Sequence, residues 1–544
     1  MKMKTSLDEN SSQDAAVSGV DLEPHLTSST VSDLQETSTV TSGSNQSEFA
    51  LNFSPDYVRD WTTTSAFRNY TRIAASILTR NRKDAIIESF QLDPRSFRPV
   101  YEESEQHICI TVSKGARSEA LGFIRHDKST GQVTLANACA TLEPEALQLG
   151  KTTKRGKDQL VGCHGEGLKL AAMLMSREGY RVSVETNNTH WDFCLQDSSQ
   201  FRCTVSSSER AIPKRRPNPR RDMARFMSRI WRDVTVIIQP RHNPCRQEVS
   251  HEQFRKWLEV SMEIRGYSYP ESVIETDCGD LILDPRYRGK MFLKGLLLPS
   301  SISEPRELKL GYNFVEGDVN RDRQWLVNRQ QEADLLRKIW ESAIHKNRDL
   351  ILPIYVNILW NFPRAPDVEL AEDLLERPTR LLIWKHLLRI ADGRRFYFCQ
   401  KTGSLSVGTI TGILKKEPVG LPDTLWHLLE GSVPIRTADQ QRVHMFRHAT
   451  VAPSPMTLFG TTVLRALRAS LVLCSYPSKI EIVDSDSKIQ LLVDIERQAI
   501  IIDQQSFDIS KVHERVCRPR ASLIANEAFL CDHVIEELFA VAQC

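Results

Sequence analysis

The stretch from Gly162 to Ala172, GCHGEGLKLAA, sets three glycines immediately before an amphipathic helix. Glycine loses more conformational freedom on folding than any other residue, so such a cluster belongs where main chain turns sharply or approaches another group closely. The glycines lead into LKLAAMLMSREGY, whose apolar residues recur at helical spacing and stop at Glu178-Gly179. A glycine loop at a helix start leaves backbone N–H groups unpaired at the positive end of the helix dipole, where phosphate is the usual guest. The order of Gly162, Gly165 and Gly167 matches neither G-x-x-x-x-G-K-[ST] nor G-x-G-x-x-G, which excludes two common nucleotide folds. A tight turn packed on a sheet is the other reading of the three glycines alone.

The flanking pattern supplies the fold class. Residues 66–90 have helical periodicity, ICITVSKG reads as a strand, and LGFIRHDKSTGQVTLANACATL pairs two apolar runs across a Ser-Thr-Gly turn. YRVSVETNNTHWDFCLQ gives two more strands around Asn187-Asn188. Helix, strands, glycine loop, helix and strands in that order predict an α/β sandwich, a mixed sheet with helices on one face, over residues 53–207. Residues 1–50 are rich in Ser, Thr, Asp, Glu, Gln and Asn and cannot bury enough surface to offset the entropy of ordering, so they read as a disordered tail.

Residues 208–228 contain RAIPKRRPNPRRDMAR, seven Lys or Arg interleaved with three prolines, which reads as an exposed insertion. Lys214 to Arg221 suit nucleic acid or nuclear import; a solvated loop is the alternative. DVTVIIQP, DLILDP and GKMFLKGLLLP are strand-like, and HEQFRKWLEVSMEI and EADLLRKIWESAI helical, which predicts a second α/β domain over 229–365. A C-terminal α+β region over 375–544 follows. A formal net charge of +2 argues against a globally basic nucleic-acid binder. No run of about 18 apolar residues offers a membrane span, so no membrane partner is expected. Scattered single cysteines read as reduced thiols, pointing to the nucleus or cytoplasm, with the basic stretch favouring the nucleus. His513, Cys517, Cys531 and His533 have zinc-ligand chemistry but no standard spacing, and read as ordinary packed residues of a terminal helix region.

Two further segments sharpen the glycine loop. NRKDAII places Asn81 and Asp84 one turn apart on a helix, from which an amide can help hold a metal bound to phosphates. LGKTTKR sets Thr152, Thr153, Lys154 and Arg155 in a polar segment suited to a lid over polyphosphate. In this order the three segments resemble the GHKL ATPase superfamily, which includes the gyrase B-subunit, MutL, the ninety-kilodalton heat-shock chaperones, histidine kinases and the MORC proteins. A group of large fungal proteins with an opening like PDYVRDWTTTSAFR and a later GYNFVEGDVNRDRQ is the most similar, with MORC-like features.

The resemblance implies an ATP-binding conformational switch with Mg2+ as cofactor and a nucleotide-dependent homodimer as its output. Asn81 stands at the N-box asparagine that binds magnesium through ATP, and Gly162, His164, Gly165, Gly167, Leu168 and Lys169 stand in the second glycine box around the phosphates. His164 reads equally as a phosphate contact or a structural residue. Arg321 and Arg323 of NRDRQ, with Lys294 as another candidate, stand where a transducer-like domain reaches the γ-phosphate.

Two departures limit the likeness. The superfamily's first glycine box, D-x-G-x-G, has its best match in Asn137 to Thr141, with Asn137 at the base-reading aspartate and neither glycine present. The N-box glutamate that activates water is replaced by Ile77, so the expectation is slow or absent hydrolysis. In the fungal group that glutamate follows AFR almost at once, which makes Asn69 to Arg80 read either as a genuine insertion or as a translated intron in the gene model. The alternatives to a nucleotide switch are a degenerate scaffold that binds no nucleotide, and a nuclear DNA- or chromatin-associated factor acting through the basic insertion.

Overall fold

Asn187 and Asn188 adopt φ of 43° and 56°, the paired left-handed geometry that matches the twist of a two-residue hairpin and that asparagine tolerates. They join β6 (Tyr180–Thr186) to β7 (Thr189–Gln196) in antiparallel register, Thr186 opposite Thr189. In the computed structural model of the protein, the described residues are 46–51, 70–113, 120–147, 167–196, 200–207, 233–240, 248–298, 307–317, 329–401, 406–473, 479–517 and 527–543. The protein is an α/β fold, and its described residues form three main cores in succession along the chain.

The first core lies on one face of a nine-stranded sheet in the order β1-β8-β7-β6-β9-β5-β4-β3-β2. The remaining strands are β1 (Gln46–Ala50), β2 (Val100–Glu103), β3 (His107–Ser113), β4 (Ala120–Asp127), β5 (Val133–Ala138), β8 (Gln200–Ser207) and β9 (Asp233–Pro240). Period-two alternation sends Tyr180, Val182, Val184, Trp191 and Phe193 towards α1 (Tyr70–Phe90), α2 (Gly167–Arg177) and α3 (His251–Leu258). The opposite face carries polar pairs such as Arg181 with Asp192 at 2.8 Å.

Three expectations are corrected here. The sheet is not mixed: all its strand pairs are antiparallel. The first domain does not end at residue 207, because β9 returns to the middle of the sheet between β6 and β5, and Val234, Val236 and Ile238 join the first core. Phe254, Trp257 and Leu258 of α3 join it as well, so the basic stretch interrupts this domain rather than following it. The polar N-terminal segment contributes a strand, since β1 pairs with β8 and Phe49 packs on the core; main-chain hydrogen bonds supply what its composition does not.

The second core carries a mixed five-stranded sheet, β10 (Val273–Thr276), β11 (Gly279–Ile282), β14 (Gly311–Phe314), β12 (Met291–Leu293) and β13 (Leu296–Leu297) in that spatial order. It continues without a break through α4 (Arg329–Lys346), α5 (Arg348–Asn361), α6 (Arg377–Ala391) and the parallel pair β15 (Arg395–Cys399) and β16 (Glu417–Leu421). A boundary between 365 and 375 is therefore also corrected. Asp367, 3% exposed, ties that point to the second sheet, accepting from Lys309 N at 2.8 Å, Leu310 N at 3.2 Å and the Tyr312 hydroxyl at 2.5 Å. A third core joins β17 (Thr450–Val451), β18 (Lys479–Asp484), β19 (Leu491–Asp494) and β20 (Ala499–Asp503) to the helices Leu458–Leu473, Ile509–Cys517 and Glu527–Gln543.

Candidate functional site

The helices α1 and α2 meet at Gly167, the first helical residue of α2. A Cβ at this position would lie 3.1 Å from Ile77 Cγ2 and 3.4 Å from Asn81 Nδ2, so any side chain here would press on Ile77 by a few tenths of an ångström. Asn81 thus sits beside the N-terminus of α2, where the first N–H groups have no intrahelical partner and carry the positive end of the dipole. Ile77, one turn earlier on α1 and 5% exposed, faces the same junction with an aliphatic side chain and no proton acceptor. The stretch that reads as an insertion in the sequence therefore forms the first half of α1 and places Ala74, Ala75, Ile77 and Leu78 in the core.

Asp84 is fully buried on α1. Leu168 packs against the first core, and Lys169 is 1% exposed with its ammonium donating to the Ala146 carbonyl at 3.0 Å. A buried ammonium needs such acceptors, so Lys169 holds the turn Pro144–Leu147 against α2.

That turn follows the end of β5. Val133, Leu135 and Asn137 share the strand face that looks towards α1, and Asn137 is 7% exposed. Directly opposite it on β4 is Gly122, whose Cβ position lies 2.7 Å from Ile86 Cδ1 of α1 and 3.4 Å from Asn137 Oδ1. Asn137 Oδ1 is buried and has no hydrogen-bond partner among the described residues. Two residues on, Cys139 adopts φ of 56°, the left-handed geometry of a glycine, and its N–H donates to Asp233 Oδ1 at 3.2 Å. The backbone thus makes a left-handed turn at a position where the sequence has no glycine. Thr141 is exposed, and the next N–H, of Leu142, donates to Thr186 Oγ1 at 2.9 Å.

Thr152, Thr153, Lys154, Gly162, His164, Gly165, Arg321, Arg323 and the basic stretch Lys214 to Arg221 lie outside the described residues. Lys294 is described: with Gly295 it makes the two-residue turn between β12 and β13, φ 51° and 80°. Its carbonyl accepts from Lys83 Nζ at 2.6 Å, and Lys83 also donates to Glu263 Oε1 at 2.6 Å. A Cβ on Gly295 would fall 2.2 Å from Glu263 Cδ, so the turn closes directly over the carboxylate. Burial pushes the Glu263 carboxyl above the usual carboxylate range against the pull of Lys83, and Oε2 is buried without a partner among the described residues. Gly295 N donates to Asn313 Oδ1 at 2.7 Å and Asn313 Nδ2 to Asp280 Oδ2 at 2.6 Å, which extends the network into the second sheet.

No local sequence pattern marks this junction. Lys83 stands in NRKDA among charges that ordinarily face solvent, and its contacts with Glu263 and the Lys294 turn account for its burial to 3% exposure. Burial alone pulls the Arg82 guanidinium down to about 10, with the Cys109 thiol acting weakly in the other direction.

Among the described residues no three His, Cys, Asp or Glu side chains gather as a metal site, Cys531 is buried in the third core and His513 is exposed. Among the same residues no helix is long and apolar enough to cross a membrane. No family model matches the chain, and no curated protein matches it in sequence.

Proposed function

We propose that the chain is a nucleotide-responsive switch of the GHKL type, which holds Mg-ATP between α1 and the N-terminus of α2 and hydrolyses it slowly or not at all. One observation carries this reading: Asn81 meets Gly167, two residues distant in sequence that the resemblance assigns to the metal and the phosphates of one nucleotide. The N–H groups of α2 favour anionic oxygens, and the Asn81 amide beside them is suited to a magnesium ion that arrives with those phosphates. A bound nucleotide would supply the metal's phosphate ligands, and the chain's own part is to orient them.

Ile77 supports the weak turnover, since no carboxylate stands at the turn before Asn81 to take a proton from water. The output is then a shift of population rather than product: nucleotide favours one arrangement of the α1–α2 junction, and α1 conveys it to the second lobe through Lys83 and Glu263. Nucleotide-dependent pairing of two chains follows from the same resemblance.

The test is calorimetric titration of the whole chain with ATP and Mg2+, beside Gly167→Val, whose added atoms displace Asn81 and Ile77. The parent binds and the variant loses about tenfold or more, the scale of one misplaced anchoring contact. A parent that binds nothing, or two proteins that bind equally, refutes the nucleotide reading and leaves the scaffold.

A further inference from the structure

The segment IRGYSYP, residues 264–270, folds back on itself after α3. Arg265 first extends the edge of the nine-stranded sheet: its N–H donates to the Pro99 carbonyl at 2.8 Å, and its carbonyl accepts from Tyr101 N at 3.0 Å. Gly266 then enters the left-handed region at φ 80°, and the N–H groups of Ser268 and Tyr269 both return to the Ile264 carbonyl at 2.9 Å. The reversal sets the Arg265 guanidinium over the Tyr269 ring, 4.6 Å from its centre. Together with Tyr267, Pro270, Glu271 and Arg286 these two residues line a cleft of about 410 Å³, the size of a small-molecule site.

The two guanidiniums of the cleft are not equivalent. Arg286 donates to Asp284 from Nη2 at 2.7 Å and from Nε, and Glu271 stands 3.5 Å from the same Nη2. Arg265 has no such counter-charge: among the described residues no carboxylate pairs with it, and its Nε is buried without a hydrogen-bond partner. Both tyrosine hydroxyls are committed elsewhere, Tyr267 donating to the Arg255 carbonyl at 2.9 Å and Tyr269 to Glu275 Oε1 at 2.8 Å. Their rings are what they offer the cleft. A single uncompensated guanidinium among aromatic walls, with Arg286 already balanced, calls for one negative charge on an apolar body.

We propose that this cleft binds a small monocarboxylate with a flat apolar body, its carboxylate on Arg265 and its body against Tyr267, Tyr269 and Pro270. The planar fork of a guanidinium matches a carboxylate. A phosphate dianion carries a second charge towards Glu271 and Asp284, and that repulsion sets the selectivity. A free aromatic acid and the carboxylate at the end of a peptide chain share this chemistry. No residue of the cleft belongs to α1 or α2, so the proposal does not rest on the nucleotide reading.

The experiment is ligand-observed NMR titration of the whole chain with phenylacetate, phenylacetamide and N-acetylphenylalanine, with phenyl phosphate scored by its displacement of phenylacetate. Phenylacetate binds the parent with a Kd of about 0.1–1 mM, the range for a ligand of its size. Phenylacetamide binds about tenfold or more weakly, and Arg265→Met weakens phenylacetate by a similar factor while leaving the amide unchanged, the scale of one charge-assisted hydrogen bond. Phenyl phosphate binds more weakly than phenylacetate, and Glu271→Gln narrows that gap by about twofold or more. The Glu271 side chain is 85% exposed, so this variant keeps its fold, and with the acid-to-amide ratio it decides the matter if Arg265→Met does not fold. N-acetylphenylalanine binding as tightly as phenylacetate assigns the site to a chain end, and its exclusion assigns the site to a free acid; either supports the carboxylate.

Equal binding of acid and amide overturns the proposal, as does a folded Arg265→Met that binds phenylacetate like the parent. Phenyl phosphate binding tighter than phenylacetate, a gap unmoved by Glu271→Gln, or no binding of phenylacetate up to about 10 mM overturns it as well.

Discussion

Replacing Lys83 by methionine keeps most of the side-chain volume and deletes the ammonium that serves two acceptors, Glu263 Oε1 and the Lys294 carbonyl, each at 2.6 Å. Lys83 is 3% exposed and the Glu263 side chain 17%, so the variant strands a carboxylate that has little water to fall back on. Breaking a buried pair in this way costs about 3–5 kcal/mol, and the partial exposure of Glu263 places this case near 3. For a cooperative unit of this size each kcal/mol lowers the midpoint by about 2–4 °C, which gives a fall of roughly 6–12 °C. The double variant Lys83→Met, Glu263→Gln removes both charges and recovers most of the loss, because the cost lies in the unpaired charge rather than in the missing pair.

Proton linkage gives a second readout. Burial holds the Glu263 carboxyl above its usual range in the folded protein, so the folded state binds this proton more readily than the unfolded chain. Without Lys83 that inequality grows. The deficit of Lys83→Met is then full at neutral pH and shrinks as pH falls through the folded pKa towards the unfolded value, where both states carry the proton. Thermal unfolding followed by circular dichroism at pH 7.5 and pH 5 measures it. A midpoint within about 2 °C of the parent, less than 1 kcal/mol, refutes the reasoning, as does a double variant as unstable as the single one.

Two further substitutions test particular contacts. Cys139→Gly relieves a left-handed residue at φ 56°, worth about 1 kcal/mol, and raises the thermal midpoint by about 2–4 °C; an unchanged or lower midpoint shows that the turn is not strained. Tyr312→Phe removes the hydroxyl that donates to Asp367 at 2.5 Å and accepts from Trp340 Nε1 at 3.1 Å, leaving the indole N–H unpaired in the second core. The expected cost is about 2–3 kcal/mol in urea denaturation, with the fluorescence of Trp340 altered; a loss under 0.5 kcal/mol contradicts the role of Asp367 as a tie between Lys309, Leu310 and the second sheet.

Local chemistry was legible in the chain. The hairpins across Ser129-Thr130-Gly131 and Asn187-Asn188, the helix after the glycine cluster and its stop at Gly179 all follow from turn preference and periodicity, which act over a few residues. Reading DVTVIIQP as a strand was equally sound, but its place was not. Val234, Val236 and Ile238 would suit either lobe, and only pairing with β5 and β6 assigns them to the first. The candidate site divides in the same way. Gly167 and Asn81 are readable as residue types at a spacing, whereas their contact depends on how two helices cross.

By itself, the sequence determined the elements, the helix-start glycines, the missing carboxylate at Ile77 and the amide at Asn137, because each is a property of one segment and its side chains. Tertiary structure alone decided that Ile77 and Asn81 share one junction, that Asn137 is buried opposite Gly122, and that Lys83 leaves solvent for Glu263. Burial and pairing arise where distant segments exclude water together, and no local pattern records which segments those will be.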